Sequence, residues 1–425
     1  MEKVKNRWLI AASAVGIHIS IGSAYAWSVF TNPMVDSYGW ETTEISMAFS
    51  IAIFILGLAA AFMGRFVEKQ GPRKSGMLAA LFFGIGVAGS GLATSIESLY
   101  LLYLFYGIIG GIGLGIGYIA PVSTLVKWFP DRRGLATGLA IMGFGFASLI
   151  SGPAAAALIE SVGISMTFYI LGVIYFVVMT ASSQYLAPPP EGWVPKGFDE
   201  EQQEGKGKQI KPDLAQLTAN EAVKTRRFYI LWFMLFINVT CGIAIISVAS
   251  PMAQEIAGMT PIAAAAMVGL TGLFNGLGRI GWASLSDYLG RPNVYTAFFV
   301  IQIIAFFTLP VAYSALLFQV LVFAILTCYG GGFSTVPAFI GDIFGTKQLG
   351  AIHGYILTAW ALAGVVGPIL LSAVYDLTNS YNSTLYIFGV LFVAAFGLSL
   401  WIRSDIKKLQ NEQQEPNPNM AGAKL

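Results

Sequence analysis

Apolar runs long enough to form membrane-spanning helices alternate along this chain with short polar stretches. Twelve such runs are read, at residues 8–30, 44–66, 75–94, 98–121, 134–158, 164–186, 228–250, 262–286, 293–312, 315–340, 350–373 and 384–402. At ~1.5 Å rise per residue, each is long enough to cross ~30 Å of hydrocarbon. The pattern predicts an all-α membrane protein with twelve transmembrane helices and both termini on one side. The first run is too long for a signal-peptide core, and no convincing small-residue cleavage site follows it, so it is read as a retained span.

One long segment breaks the pattern. Ala187 to Arg227 opens on Pro188–Pro190 and carries seven acids and seven bases. It is read as a linker between two six-helix bundles, with a short surface helix around Leu214–Thr225. The predicted organisation is a bundle at 1–187, a linker at 188–227, a bundle at 228–403 and a polar tail at 404–425. The halves resemble repeats. A shift of 219 residues superposes Gly57 on Gly276, Glu68 on Asp287 and Gly71 on Gly290. A second pair is WFPDRRGLATG from Trp128 against IFGTKQLGAIHG from Ile343. Parallel repeats of this kind place a site at their interface.

Charge sets the orientation. With the N-terminus inside, every Lys and Arg except Arg279 falls on the interior side. The exterior loops carry only acids: Asp36, Glu41, Glu44, Glu97, Glu160, Glu255 and Asp376. This positive-inside bias predicts both termini in the cytoplasm. Composition agrees with a lipid-embedded chain, with 56% hydrophobic and 11% charged residues and a mean hydropathy of +0.69. A net charge of +2 without a basic patch excludes nucleic acid as a partner. Cys241 and Cys328 both lie in apolar spans, which argues against a disulfide framework or a thiolate metal site. No metal-ligand cluster, nucleophile elbow or phosphate loop is present, so neither an enzyme nor a cofactor is expected.

Arg279 is the exception that organises the rest. It lies eight residues before Asp287, roughly 12 Å inside the bilayer. An arginine there costs several kcal/mol unless it faces an interior cavity, which makes it a functional candidate by default. Asn275 sits one helical turn earlier on the same face. A structural arginine bonding neighbouring carbonyls is the alternative, but no intramembrane Asp or Glu is present to neutralise the charge. An anion-binding role is therefore preferred.

Tyr118 lies nine residues before Lys127, roughly 13 Å deep and level with Arg279. Tyr329, Tyr355 and Trp360 also lie in spans, and for all four aromatics both substrate contact and plain packing stay open. His18 and His353 are the chain's two histidines, candidates for proton coupling or else neutral packing residues. Glu68, Arg73, Asp287 and Arg291 sit at interior helix ends, where opposite charges can latch two halves in one state and release them in another. The GxxxG ladder Gly107, Gly111 and Gly115 is read as tight helix packing, as are Gly143, Gly145, Gly364 and Gly367.

The motif GRFVEKQGPRK from Gly64 resembles the loop between spans two and three of major facilitator superfamily transporters, with Glu68 where Asp is usual. More narrowly, WFPDRRGLATGL, GGGFSTVPAFIGDIFG from Gly330, and Asn275 with Arg279 resemble the oxalate/formate antiporter family and its monocarboxylate-transporter relatives. The APPPEGW linker resembles bacterial lactate-type members. The resemblance covers nearly the whole chain and implies alternating access around a central anion site. Relatives that carry oxalate place a second cation, a lysine, in span eleven, where this chain has Trp360. One buried cation neutralises one carboxylate, so the expected cargo is a small monocarboxylate such as lactate or pyruvate, moved with H⁺. An oxalate/formate-type exchanger is the alternative. Mammalian monocarboxylate carriers have an Asp tied to proton coupling where Asn275 stands, which leaves the proton's route open. The expected setting is the inner membrane of a prokaryote, with the protein working as a monomer.

Overall fold

The computed structural model describes residues 4–195 and 213–414, and the secondary structure there is helical. α1 (Arg7–Gly22) bends through a 3-10 turn at Ser23–Ala26 into α2 (Ser28–Tyr38). α3 (Thr42–Ser95) holds 54 residues, which would be roughly 80 Å of continuous helix. It is in fact two crossings. Gly71, at φ 80° and ψ 168°, breaks the helix, and Pro72 behind it lacks the N–H to continue the ladder.

α4 (Leu99–Trp128) carries an eight-residue π-helical segment at Tyr103–Gly110. α5 (Arg133–Val162) and α6 (Ile164–Tyr185) complete the first six crossings. After the polar segment come the single turn α7 (Ala219–Ala222), then α8 (Arg226–Ala257), α9 (Pro261–Leu289) and α10 (Arg291–Thr308). α11 (Ala315–Phe344), α12 (Leu349–Thr378) and α13 (Tyr381–Gln414) close the chain. Among the described residues, 11 helices are long and apolar enough to cross a membrane. The doubling of α3 makes these twelve crossings.

Two segments differ in extent from the sequence expectation. The linker helix is confined to Ala219–Ala222, started by a capping box between Thr218 and Glu221. α13 continues helically to Gln414, past the apolar span and into the polar stretch. Residues 196–212 of the linker, 415–425 of the tail and 1–3, with Lys3, lie outside the described residues.

Glycine sets how closely the helices approach. A Cβ on Gly107, Gly111 or Gly115 would stand 2.7, 2.8 and 2.5 Å from atoms of Ile51, Ile55 and Leu56 in the first limb of α3. One on Gly113 would collide with Phe83 in the second limb. In lipid, helices are held by close van der Waals packing, and small residues permit it. The ladder wedges α4 between both limbs of α3.

The repeat seen in residue spacing recurs in the backbone. Gly290, at φ 86° and ψ 145°, matches Gly71. Arg132 and Gln348, which precede α5 and α12, also share an unusual conformation, at φ −148° and −133°. The halves meet mainly through α3 with α12 and α9 with α5. Gly57 lies against Ala361, and Gly276 against Gly145, so one contact is made twice with the halves exchanged.

Candidate functional site

Arg279 is 1% exposed on α9. Its Nε donates to Asn275 Oδ1 at 3.1 Å, one turn back on the same helix. Its Nη1 donates to the carbonyl of Ile141 at 3.1 Å, on α5 of the other half. Nη2 is buried without a partner. A guanidinium has five N–H donors, and no carboxylate among the described residues pairs with this one. The rings of Phe144, Phe333 and Tyr25 stand 5.5, 5.5 and 6.0 Å from its central carbon, close enough for cation–π attraction. Such contacts soften the burial of a cation but do not neutralise it.

Two glycines make room for this side chain. A Cβ on Gly145 would lie 3.2 Å from Arg279 Cδ, and one on Gly330 would lie 2.6 Å from Asn275 Oδ1. Gly145 therefore does more than pack helices. Ser334 fixes the backbone below by donating to the Arg279 carbonyl at 2.7 Å.

Tyr118 on α4 is fully buried with its hydroxyl unpartnered. Its ring centroid lies 5.3 Å from His18, 5.9 Å from His353 and 5.5 Å from Trp360. It stands between the two histidines, one from each half. His18 Nδ1 contacts the Ala14 carbonyl at 3.1 Å, and a carbonyl can only accept, so the neutral ring carries its proton there. Its Nε2 is then a free acceptor, since no partner reaches it. Neither ring nitrogen of His353 has a partner, nor does Trp360 Nε1.

Trp360 packs on Phe333 at 4.7 Å, and Tyr329 packs on the same ring at 5.3 Å. Buried polar atoms are normally hydrogen-bonded, so this convergence of orphans from α1, α4, α9 and α12 is unusual for a packed interior. Its one positive charge is the Arg279 guanidinium, with Nη2 still open. Tyr355 does not join it. That residue lines a groove of about 660 Å³ open at the surface, with Asn220, Tyr229, Trp232 and Thr358.

At the end carrying the basic loops polar contacts join the halves. Glu68 Oε1 accepts from the Gly350 N–H at 2.6 Å, at the start of α12, while Oε2 pairs with Lys127 at 2.8 Å. Asp287 accepts from the N–H groups of Gly134 and Leu135, at the start of α5. Each acid crosses to the other half and caps a helix N-terminus, where free N–H groups and the helix dipole favour an anion. Arg291 steadies Asp287 at 2.7 Å and also reaches Asp342 at 3.1 Å. Arg73 takes no part in these contacts. It bonds Gln184 within its own half.

Sequence reasoning missed other members of these contacts: Lys127, Arg133, whose Nη1 lies 3.1 Å from Asp342 across the seam, Asp342 itself and three backbone N–H groups. Gly134 and Gly350 lie inside the paired motifs already noted, which was the available signal.

The profile of the Major Facilitator Superfamily matches residues 12–368 and 231–422. The oxalate:formate antiporter of Oxalobacter formigenes is 27% identical over 404 residues, covering 93% of this chain and 91% of that one. Apicoplast pyruvate carrier 1 of Toxoplasma gondii is 23% identical, covering 83% and 81%. In three dimensions the chain is similar to the E. coli fucose:proton symporter, with a TM-score of 0.71 at 15% identity, covering 94% and 99%. The doubled helical repeat, the seam between its halves and this match place the chain in one family: it belongs to the Major Facilitator Superfamily of transporters.

Proposed function

We propose that the protein carries a small monocarboxylate, of the lactate or pyruvate kind, together with one proton by alternating access. The observation that carries the reading is Arg279, a buried guanidinium at the seam with one nitrogen unpartnered and no acid among the described residues to balance it. A carboxylate completes it. Bound there, the anion would sit among Asn275, Tyr118, Tyr329 and Trp360, with apolar rings accommodating a short carbon chain. The relatives' names specify oxalate, formate and pyruvate, all small carboxylates, which supports the broader substrate class.

The proton is assigned to His18 and His353. They flank Tyr118 from opposite halves, and their free nitrogens are suited to take up a proton when the anion arrives. Co-transport of H⁺ with a monoanion is electroneutral. By the positive-inside rule the basic loops favour a cytoplasmic side for the latched end, and the reading sets the protein in the inner membrane of a prokaryote. Exchange of two carboxylates is the second reading, favoured by the antiporter relative.

The test is uptake of a panel of labelled carboxylates into proteoliposomes, with and without an inward acid gradient. Gradient-driven accumulation of lactate or pyruvate supports symport. Uptake that requires internal carboxylate and ignores the gradient supports exchange. Transport of none of the panel overturns the substrate class.

A further inference from the structure

We infer that Asp213, in the segment joining the two halves, is a gating residue that holds the basic end shut. The inference rests on the alternating-access reading but not on the identity of the cargo.

Residues 213–219, at the end of the polar segment, are laid against the second half as a strap. The Leu214 N–H donates to the Asp342 carbonyl at 3.0 Å, the Leu217 N–H to the Phe344 carbonyl at 2.8 Å, and the Ala219 N–H to Gln348 Oε1 at 2.8 Å. Two of these acceptors are terminal carbonyls of α11, which have no partner inside their own helix. The fit depends on Gly345 at φ +83°, where a Cβ would also crowd Gln216. The strap is thereby fixed to the second half.

Asp213 reaches from the strap to the first half. Its Oδ1 lies 2.6 Å from Arg133 Nη1, at the first turn of α5, with the two side chains only 12% and 8% exposed. Gln216 donates to Oδ2 at 2.7 Å and aims the carboxylate. Arg133 also meets Asp342 at 3.1 Å, but Asp342 is shared with Arg291. Asp287 is engaged by two backbone N–H groups and Arg291. Asp213 therefore gives Arg133 an acid of its own, and a desolvated charge-assisted pair is stronger than a surface one. When the halves part at this end, Asp213 and Asp342 travel with the second half and Arg133 with the first. The pair exists in the closed state alone, so it biases the conformational equilibrium rather than simply adding stability. Arg65 touches Asn220 as well, a weaker crossing because that side chain is solvated.

The experiment uses the full chain in lipid nanodiscs, without substrate, so an error in the cargo assignment leaves the readout intact. Spin labels are placed through Arg132→Cys and Lys347→Cys, both at exposed sites on opposite halves, while native Cys241 and Cys328 are buried. Pulsed electron–electron distance distributions then report the open fraction at this end. Asp213→Asn should raise the ratio of open to closed about tenfold. On an Arg133→Gln background the same change should have no further effect, because its partner is already gone. Gln348→Ala, which frees the other end of the strap, should shift the ratio in the same direction and carries the test if Asp213→Asn does not fold. Unchanged distributions in the variants, or an undiminished Asp213→Asn shift on the Arg133→Gln background, would overturn the inference.

Discussion

Asp287 accepts hydrogen bonds from the backbone N–H of Gly134 at 2.8 Å and of its neighbour Leu135 at 2.9 Å, across the seam between the halves. The acid of one repeat is read by the main chain of the other. Gly134 is needed because a Cβ there would run into the Ala283 carbonyl. Glu68 and Gly350 repeat the relationship with the halves exchanged.

Asp287→Asn keeps the shape but removes the charge and replaces one acceptor oxygen with an amide donor. At ~1–2 kcal/mol for a carboxylate on a helix N-terminus, the closed state should lose about tenfold in population. Hydrogen exchange measures this at the donors themselves. Peptides covering 130–138 should exchange faster in Asp287→Asn, and those covering 348–353 faster in Glu68→Gln. Wild-type exchange at both sites would mean that the caps contribute nothing.

Arg279→Lys retains a positive charge but cannot reach Asn275, Ile141 and a carboxylate together, since only the guanidinium has a planar fork. Affinity for the carboxylate should fall at least tenfold, and Arg279→Ala should abolish binding at normal expression. Isothermal titration of purified protein separates this loss from a slower transport step. Undiminished binding in Arg279→Ala would remove the residue from the site.

Trp360 shares the Phe333 ring with Arg279, 4.7 Å away on its own side. Trp360→Lys places a second cation near the first. A dianion such as oxalate then meets two partners, and Coulomb attraction at an effective dielectric of ~20 is worth about 4 kcal/mol at contact. Lysine desolvation and lost indole packing offset part of it, leaving a gain on the order of tens-fold in oxalate competition against a labelled monocarboxylate. Monoanion transport should fall. If oxalate already competes as well as lactate in the unmodified protein, the exchanger reading takes precedence.

The histidines are tested together, because both pack against Tyr118, one from each half. The double variant His18→Gln and His353→Gln should lose acid-driven accumulation while retaining exchange of labelled for unlabelled substrate at equal pH. Accumulation that survives in the double variant would route the proton elsewhere.

Much of this architecture was legible along the chain because lipid imposes simple rules. Span length, basic loops and the glycine ladder each follow from one physical demand. Four-residue spacing put Asn275 on the face of Arg279, and the two side chains are in contact. Tyr355 shows where such reasoning needed one more step. It stands five residues from Trp360, and at ~100° per residue those two side chains point to different sides of α12. His353, seven residues from Trp360, returns to the same face.

Other members act through the main chain, so beyond the paired motifs that hold Gly134 and Gly350 no side-chain chemistry marks them. The Ile141 carbonyl and the N–H groups of Gly134, Leu135 and Gly350 belong to the main chain, and any sequence carries such groups everywhere. Asp213 was one of seven acids in a segment that reads as solvated. Only the course of the strap singles it out.

The exchanged pair of caps also governs how the seam comes apart. One joins α3 to α12 and the other α9 to α5, and both must be stretched by any rocking of one rigid half against the other. Neither can let go while its counterpart keeps the halves in register, so their contributions are lost in a single step. Opening is then expected to be cooperative, with sparsely populated intermediates between shut and open. A substitution at Asp287 should therefore loosen Gly350 as well, on the far flank, although no atom there has changed.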